Sequence, residues 1–212
     1  MNRSDFSHRS INFAQLLLTR FCHDITGPVG AIHNGVEFLH DSGTMQHQAI
    51  ELIEQSAHHA LVRVQLFRYL YGILKEQGDA DIVEHYKLLH NYFDGSKTTL
   101  AFEIGALRLS HEACRLLLNL VIIMGACLIR GGSCTIEQHQ NPHSILIIAH
   151  GSNVRMEDKV QQALLHPDVH IPDTQTIHVY YAALLAQHLG ATLTLDVQET
   201  FAHLRLVWSD KP

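Results

Sequence analysis

A histidine and an aspartate, His23 and Asp24, stand side by side in a segment whose apolar residues recur with helical spacing. At roughly 100° per residue, these apolar residues fall on one stripe and His23 projects to the opposite side of the helix. The stripe, which we expect to pack inward, consists of Leu18, Phe21, Ile25, Val29, Ile32, Val36 and Leu39. Among 18 histidines, any single one is by default an ordinary surface residue, so its setting must distinguish it. An imidazole held out from a rigid helix beside a carboxylate is well placed to carry a chemical group between proteins.

Three small residues, Gly27, Gly30 and Asn34, follow His23 on the same side of the predicted helix, about one turn apart. We call them the small-residue row. Their short side chains would let the surface of another protein come close to the histidine. Pro28 lies within the same segment and should kink the helix at a cost of about 3 kcal/mol.

The composition excludes several classes of function. The net charge is −6 and no Lys/Arg-rich run is present, which argues against nucleic-acid binding because phosphates require clustered cations. The longest apolar runs, such as residues 116–124, are too short to span a bilayer. No signal-peptide pattern follows the polar N-terminus, and the four cysteines show no CxxC spacing. We therefore expect a cytoplasmic protein with reduced thiols and no membrane or nucleic-acid partner.

The first third of the chain is predicted to be a helical hairpin. Residues 10–41 and 45–77 have apolar residues at spacings of three and four, and Asp41-Ser42-Gly43 separates them. In the second helix the apolar positions are Met45, Ala49, Ile53, Ala57, Ala60, Val64, Phe67, Tyr71 and Leu74. The short connection makes the two helices antiparallel neighbours. Gln77-Gly78-Asp79 ends the hairpin, which divides the chain into domains at 1–77 and 78–212.

Two helices cannot cover each other's apolar faces. A second copy of the chain would complete a four-helix bundle, so the geometry predicts a homodimer. By equal distance from the turn, residues 61–65 lie level with His23. Arg63 is among them, and it is either a phosphate- or partner-binding residue or an ordinary surface arginine.

The remaining residues predict an α+β fold, an open sandwich of helices and strands. Helices are expected at 81–93, at 110–129 with Ser110 as N-cap, at 156–165 and at 174–189. Strands are expected at 98–104, at 134–137 and 144–149 paired around Asn141-Pro142, and at 192–197 and 201–207 as a final hairpin.

The order His-Asp-x-x-Gly-Pro at residues 23–28 resembles the H-box of two-component signalling proteins, in which the histidine accepts phosphate. The layout of a hairpin followed by a sandwich resembles that of histidine kinases, whose second domain is a Bergerat ATPase. Here the nucleotide motifs are degenerate: Ile123 occupies the Mg²⁺-binding asparagine position, and Ala149 stands where an adenine-binding aspartate is expected. The retained Asn119 is either a relic of nucleotide binding or, as we favour, a buried amide hydrogen-bonded within the fold.

This combination resembles the dimeric histidine phosphotransferases of the ChpT type, most strongly over residues 17–39, 117–132 and 180–193. The resemblance implies that His23 accepts a phosphoryl group from the receiver domain of a hybrid histidine kinase and passes it to a response regulator. Asp24 would be the acid/base and orienting partner, and Gly27, Gly30, Asn34 and Arg63 would contact the receiver. No cofactor is expected on this chain, while Mg²⁺ is expected on the receiver.

Two alternatives remain at the level of sequence. One is an ATP-dependent histidine kinase with an unusual pocket, and the other is a scaffold that binds receivers without accepting phosphate. A metal site is disfavoured, because His58-His59 and the pair His166 and His170 lack an HExxH pattern. We expect a phosphotransfer protein with a phosphohistidine intermediate and without ATP-dependent kinase activity.

Overall fold

The computed structural model describes five stretches of the chain, residues 3–40, 46–73, 78–104, 108–138 and 144–208. The chain divides into two compact units, Met1–Gly72 and Ile73–Pro212. Within the described stretches the fold is mixed, with six helices and one five-stranded sheet. The predicted turns at Asp41-Ser42-Gly43 and Asn141-Pro142 lie outside the described residues, as does Gln77 of the predicted domain boundary.

The first unit is the predicted helical hairpin, formed by α1 (Arg3–His40) and α2 (Gln46–Tyr71). Its antiparallel register follows from two contacts. The rings of Phe21 and Phe67 meet edge-on with centroids 5.1 Å apart, and Gly35 lies against Ile53. The helix α1 continues through Pro28. The helix α2 ends at Tyr71, earlier than the predicted residue 77, where the Gly72 amide donates to the Arg68 carbonyl at 3.0 Å.

The apolar stripe of α1 is only partly covered. Its half-buried members are Phe21, Ile25, Ile32 and Leu39. Leu18, Val29 and Val36 are 61%, 51% and 39% exposed within one protomer, so the hairpin alone does not cover the whole stripe. A single partner helix covers one side of a wide stripe and leaves the other side in solvent.

The covered face of α2 also differs from the prediction. The buried residues of this helix are Ala49, Ser56, Val62, Leu66 and Leu70. Two of the predicted apolar positions, Ala57 and Val64, are exposed in the protomer. Alanine, valine and leucine occur on several sides of α2, so apolar spacing alone did not fix which side faces α1.

A matched pair of glycines on α1 provides a stability test. A Cβ at Gly35 would lie 2.6 Å from Ile53 Cγ1 and 3.2 Å from the Ala49 carbonyl oxygen, whereas a Cβ at Gly30 meets nothing within 4 Å. We expect Gly35→Ala to destabilise the hairpin by about 1–3 kcal/mol through overpacking. Gly30→Ala should be neutral or stabilising by about 0.5–1 kcal/mol, because alanine is the better helix former. Urea unfolding of both variants measures the difference, and equal midpoints would contradict the close helix contact at Gly35.

The second unit contains α3 (Ile82–Phe93), β1 (Thr98–Glu103), α4 (His111–Gly125), β2 (Gly132–Gln138), β3 (Ser144–His150), α5 (Asp158–Leu165), α6 (Ile177–His188), β4 (Ala191–Val197) and β5 (Phe201–Trp208). The strand order in the sheet is β1-β2-β3-β5-β4. The pair β1–β2 is parallel, and the other neighbouring pairs are antiparallel. The predicted pairing of β2 with β3 and the final hairpin of β4 and β5 are therefore confirmed.

The core of the second unit surrounds α4, which is buried along nearly its whole length. The predicted N-cap is confirmed, since Ser110 Oγ accepts from the Ala113 amide at 3.2 Å. The helix ends at Gly125, four residues before the predicted end, and Phe93 occupies the space that a Cβ at Gly125 would need. Gly131 and Gly132 follow with φ of 85° and 149°, which only glycine adopts readily. The helix α4 packs against β2, β3 and α6.

None of the helices in the described part of the chain is both long and apolar enough to cross a membrane.

Candidate functional site

His23 projects from the middle of α1 into solvent, with its side chain 83% exposed. Its Nδ1 lies 3.3 Å from Oδ1 of Asp24. An ionised carboxylate only accepts hydrogen bonds, so this contact assigns the hydrogen of a neutral ring to Nδ1. The lone pair then lies on Nε2, the ring nitrogen that points away from the carboxylate. The arrangement presents a nitrogen nucleophile at a protein surface.

Asp24 is held on its other side by an arginine. Nε of Arg20 donates to Oδ2 of Asp24 at 2.9 Å, and the two side chains are 31% and 21% exposed. The three residues thus form a hydrogen-bonded chain from Arg20 through Asp24 to His23. Arg20 was not among the residues predicted for the site. The signal was available, because opposite charges four residues apart on a helix are neighbours.

The small-residue row lies on the exposed surface of α1, as predicted from its spacing. Gly27, Gly30 and Asn34 are all exposed, and no atom lies within 4 Å of where a Cβ would stand at either glycine. The backbone of α1 is therefore directly accessible for about two turns beyond His23. Along the row itself, a partner surface would meet no side chain larger than asparagine.

Arg63 is half-buried on α2. The contacts between Phe21 and Phe67 and between Gly35 and Ile53 set a register in which Gln65 is level with His23. Arg63 lies two residues before Gln65. It is therefore within the range 61–65 that equal distance from the turn predicted to be level with His23.

The backbone on the C-terminal side of His23 departs from an ordinary helix. Pro28 has no amide hydrogen, so the carbonyl of Asp24 cannot receive the usual bond from four residues ahead. Thr26 Oγ1 donates to the carbonyl of Cys22 at 2.7 Å. Hydroxyl groups that bond back to the helix in this way and proline within a helix both favour bending. The missing helical hydrogen bond therefore lies at the carbonyl of the residue next to His23.

Two aliphatic residues of the second unit stand at positions that the sequence resemblance compares with the nucleotide-binding positions of Bergerat domains. Ile123 is 3% exposed and Ala149 is fully buried. Asn119 is 2% exposed and donates from Nδ2 to the Arg115 carbonyl at 2.9 Å. The interpretation of Asn119 as an internally bonded amide is confirmed.

Metal-binding groups do not converge in the described stretches, where no set of three or more His, Cys, Asp or Glu side chains could hold an ion. The rings of His58 and His59 are 6.4 Å apart, and His170 Nε2 lies 3.1 Å from Thr176 Oγ1. Burial raises the pKa of Cys127 to about 12, and burial together with the nearby Cys127 raises the pKa of Cys134 to about 12. Both thiols stay protonated at neutral pH, whereas the thiolate is the form that binds metals.

Comparison with known proteins identifies the family. Residues 83–201 match the family described as histidine phosphotransferase C-terminal domain. The chain belongs to this histidine phosphotransferase family. It is 31% identical over 193 residues to the protein phosphotransferase ChpT of Brucella abortus (strain 2308), covering 88% of this chain and 90% of that relative. The solved structure of a bacterial phosphotransferase superposes with a TM-score of 0.80 at 27% identity, covering 92% of this chain and 96% of that chain.

The resemblance to ChpT-type proteins is therefore confirmed, and this histidine phosphotransferase functions in a phosphorelay. The mixed α+β fold agrees with that of the bacterial phosphotransferase. The family match spans most of the second unit, from α3 to the first residue of β5. Histidine phosphotransfer needs a reactive imidazole. In the described part of the first unit, His23 has a ring nitrogen directed at a carboxylate that is itself held by an arginine.

Proposed function

We propose that His23 is the residue that accepts and donates the phosphoryl group. The donor is an aspartyl phosphate in the receiver domain of a hybrid histidine kinase, and the acceptor is the receiver domain of a response regulator. The observation that carries the proposal is the exposed imidazole, 83% accessible, whose Nδ1 faces Asp24 and whose Nε2 is open. The exposed His33 and His47 also face carboxylates, but those side chains are 66% and 56% exposed, whereas Asp24 is 21% exposed and is held by Arg20.

The transfer step requires little from the protein beyond positioning. The Nε2 lone pair attacks the phosphorus atom of the aspartyl phosphate, and the phosphorus–oxygen bond breaks with its electron pair returning to the receiver carboxylate. The ring keeps its hydrogen on Nδ1 and gains positive charge, which Asp24 stabilises through Oδ1. Transfer onward reverses the step, as a second receiver carboxylate attacks phosphorus and the electron pair returns to Nε2. Mg²⁺ is expected on the receiver, where it neutralises the phosphate oxygens.

The small-residue row is the proposed docking surface for the receiver. Gly27, Gly30 and Asn34 begin one turn after His23 and leave the helix backbone accessible. A receiver must bring its aspartyl phosphate within bonding distance of Nε2, so its surface must approach α1 closely. Arg63, near the same level on α2, is proposed to attract the negatively charged groups of the receiver.

The hairpin is proposed to form a homodimer with a four-helix bundle. Support comes from apolar side chains that one protomer leaves in solvent: Leu18, Val29, Val36, Leu61 and Val64 are between 39% and 61% exposed. Apolar side chains at helical spacing on two adjacent helices favour association with a second helix pair. We also propose a cytoplasmic location, because the four cysteines are thiols rather than disulfides, as in a reducing compartment.

The second unit is proposed to help recognise the receiver rather than to bind nucleotide. The side chains of Ile123 and Ala149 cannot coordinate a hard cation or accept the hydrogen bond of an adenine amine, so the residues present do not fit ATP and Mg²⁺. We expect calorimetric titration of the full chain with ATP and Mg²⁺ to give no heat of binding up to millimolar nucleotide. Mg²⁺-dependent binding at millimolar concentration or tighter would support the ATP-dependent kinase instead.

Label transfer tests the proposed function. The full chain is incubated with a receiver domain carrying labelled aspartyl phosphate, and the product is tested for acid-labile, base-stable label on histidine. We expect rapid labelling of this chain without ATP, followed by transfer to a second receiver domain. Receiver binding without labelling would identify the scaffold alternative.

A further inference from the structure

The ion pair between Arg20 and Asp24 is more buried than the other ion pairs described on the hairpin. His33–Glu37 and His47–Glu51 have the same four-residue spacing, but their side chains are between 56% and 86% exposed. The side chains of Arg20 and Asp24 are 31% and 21% exposed, and their atoms approach to 2.9 Å. Ion pairs on open surface contribute little and adopt many geometries, whereas a partly buried arginine–carboxylate pair is better ordered.

The position of this pair matters because the carboxylate has two oxygens with different partners. Oδ2 accepts from Arg20 Nε, and Oδ1 faces His23 Nδ1 at 3.3 Å. Holding Oδ2 fixes the rotation of the carboxylate and therefore aims Oδ1 at the ring. An imidazole in water favours the tautomer with hydrogen on Nε2, which would leave no lone pair on the outward-facing nitrogen.

We propose that Arg20 is a positioning residue for phosphotransfer, which keeps His23 in the Nδ1–H tautomer by orienting Asp24. This inference rests on the proposed role of His23 as the phosphoryl acceptor. Arg20 acts through Asp24 and need not touch the phosphoryl group. Its charge also offsets that of Asp24, so the carboxylate repels an incoming phosphoryl group less.

The test compares Arg20→Gln with Arg20→Lys and with Arg9→Gln in the full chain. Arg9→Gln is the matched control, because it removes one positive charge from an exposed position on the same helix. Arg9 lies about 16 Å from Arg20 along the helix axis. Long-range ¹H–¹⁵N spectra of the neutral ring report the His23 tautomer, with the resonances assigned by their loss in His23→Gln. The rate of phosphoryl acceptance is measured at saturating phosphorylated receiver, and receiver affinity is measured separately.

We expect Arg20→Gln to lower the Nδ1–H fraction of His23 and to reduce the saturating rate about fivefold, with receiver affinity unchanged. Arg20→Lys should recover part of the tautomer preference and of the rate, and Arg9→Gln should change neither. A wild-type tautomer fraction in Arg20→Gln would overturn the proposal. A weaker receiver affinity with an unchanged saturating rate would also overturn it, because Arg20 would then be a docking residue.

The two proposals fail in different ways. Should His23→Gln still be labelled at the wild-type rate, His23 is not the acceptor, and the tautomer spectra still show whether Arg20 orients Asp24. Should His23→Gln lose labelling while Arg20→Gln behaves as Arg9→Gln does in both measurements, only the role of Arg20 is wrong.

Discussion

Replacing His23 with glutamine is expected to abolish phosphoryl acceptance while leaving the fold intact. The side chain is 83% exposed and makes its one described hydrogen bond to the neighbouring Asp24, so its loss creates no cavity. Glutamine keeps a similar size and polarity but has no nucleophilic nitrogen. Loss of a nucleophile typically lowers a rate by at least about a thousandfold, so labelling from a phosphorylated receiver should fall below detection.

A second histidine on the same helix provides the control. His33 is 73% exposed and lies 3.5 Å from Glu37, so it resembles His23 in exposure and in having a carboxylate neighbour. His33→Gln should accept phosphate at the wild-type rate. Both variants should keep the wild-type circular dichroism spectrum and thermal midpoint. Persistent labelling of His23→Gln, or loss of labelling in His33→Gln alone, would contradict the assignment of the acceptor.

The secondary structure of the second unit could be predicted closely because its local signals agree with one another. Ser110 has the short hydroxyl side chain of an N-cap and precedes an apolar run, and α4 begins directly after it. The strands β4 and β5 alternate apolar and polar residues on either side of Gln198-Glu199-Thr200, and they pair as expected. The helix α4 ends four residues before the predicted end, where Phe93 packs against Gly125, a tertiary contact that the local sequence does not report.

The packed face of the hairpin was harder to predict. On α2, buried Val62 and Leu66 alternate with exposed Leu61 and Val64, so apolar residues occur on two sides of the helix. A single helix pair uses one of these sides, and spacing alone does not say which. Both sides of α2 would be apolar if α2 contacts α1 of its own chain on one side and the second copy of the protein on the other. The ambiguity in the sequence is thus what a helix with two partners would produce.

The histidine and the neighbouring carboxylate of the candidate site could be named from the sequence, whereas the arginine that holds the carboxylate was not. His23 and Asp24 are adjacent and belong to a recognisable pattern, and the small-residue row follows from helical spacing. Arg20 precedes that pattern, and an arginine on a predicted helix is ordinarily a solvated charge. The four-residue spacing allows its pairing with Asp24, but the partial burial that sets this pair apart from other i,i+4 pairs is not visible in the sequence.

Val64→Glu is expected to convert the proposed dimer into a folded monomer. Val64 is 42% exposed in the protomer, so a glutamate there can remain hydrated when the chain is alone. In a four-helix bundle the same side chain would place two like charges, one from each copy, in an apolar interface, and burying each is expected to cost several kcal/mol. Light scattering should then give a mass near that of one 23.9 kDa chain, against twice that for the wild type.

The neighbouring Gln65→Glu variant is the control for added charge. Gln65 is exposed and already polar, so its replacement introduces the same negative charge without removing an apolar contact. It should remain dimeric at the concentrations where Val64→Glu is monomeric. Val64 is preferred over Ile32 for this test because Ile32 is half-buried within the protomer, where a charge would also disturb folding. A Val64→Glu protein that stays dimeric with wild-type affinity would show that the exposed apolar face of α2 is not the dimer interface.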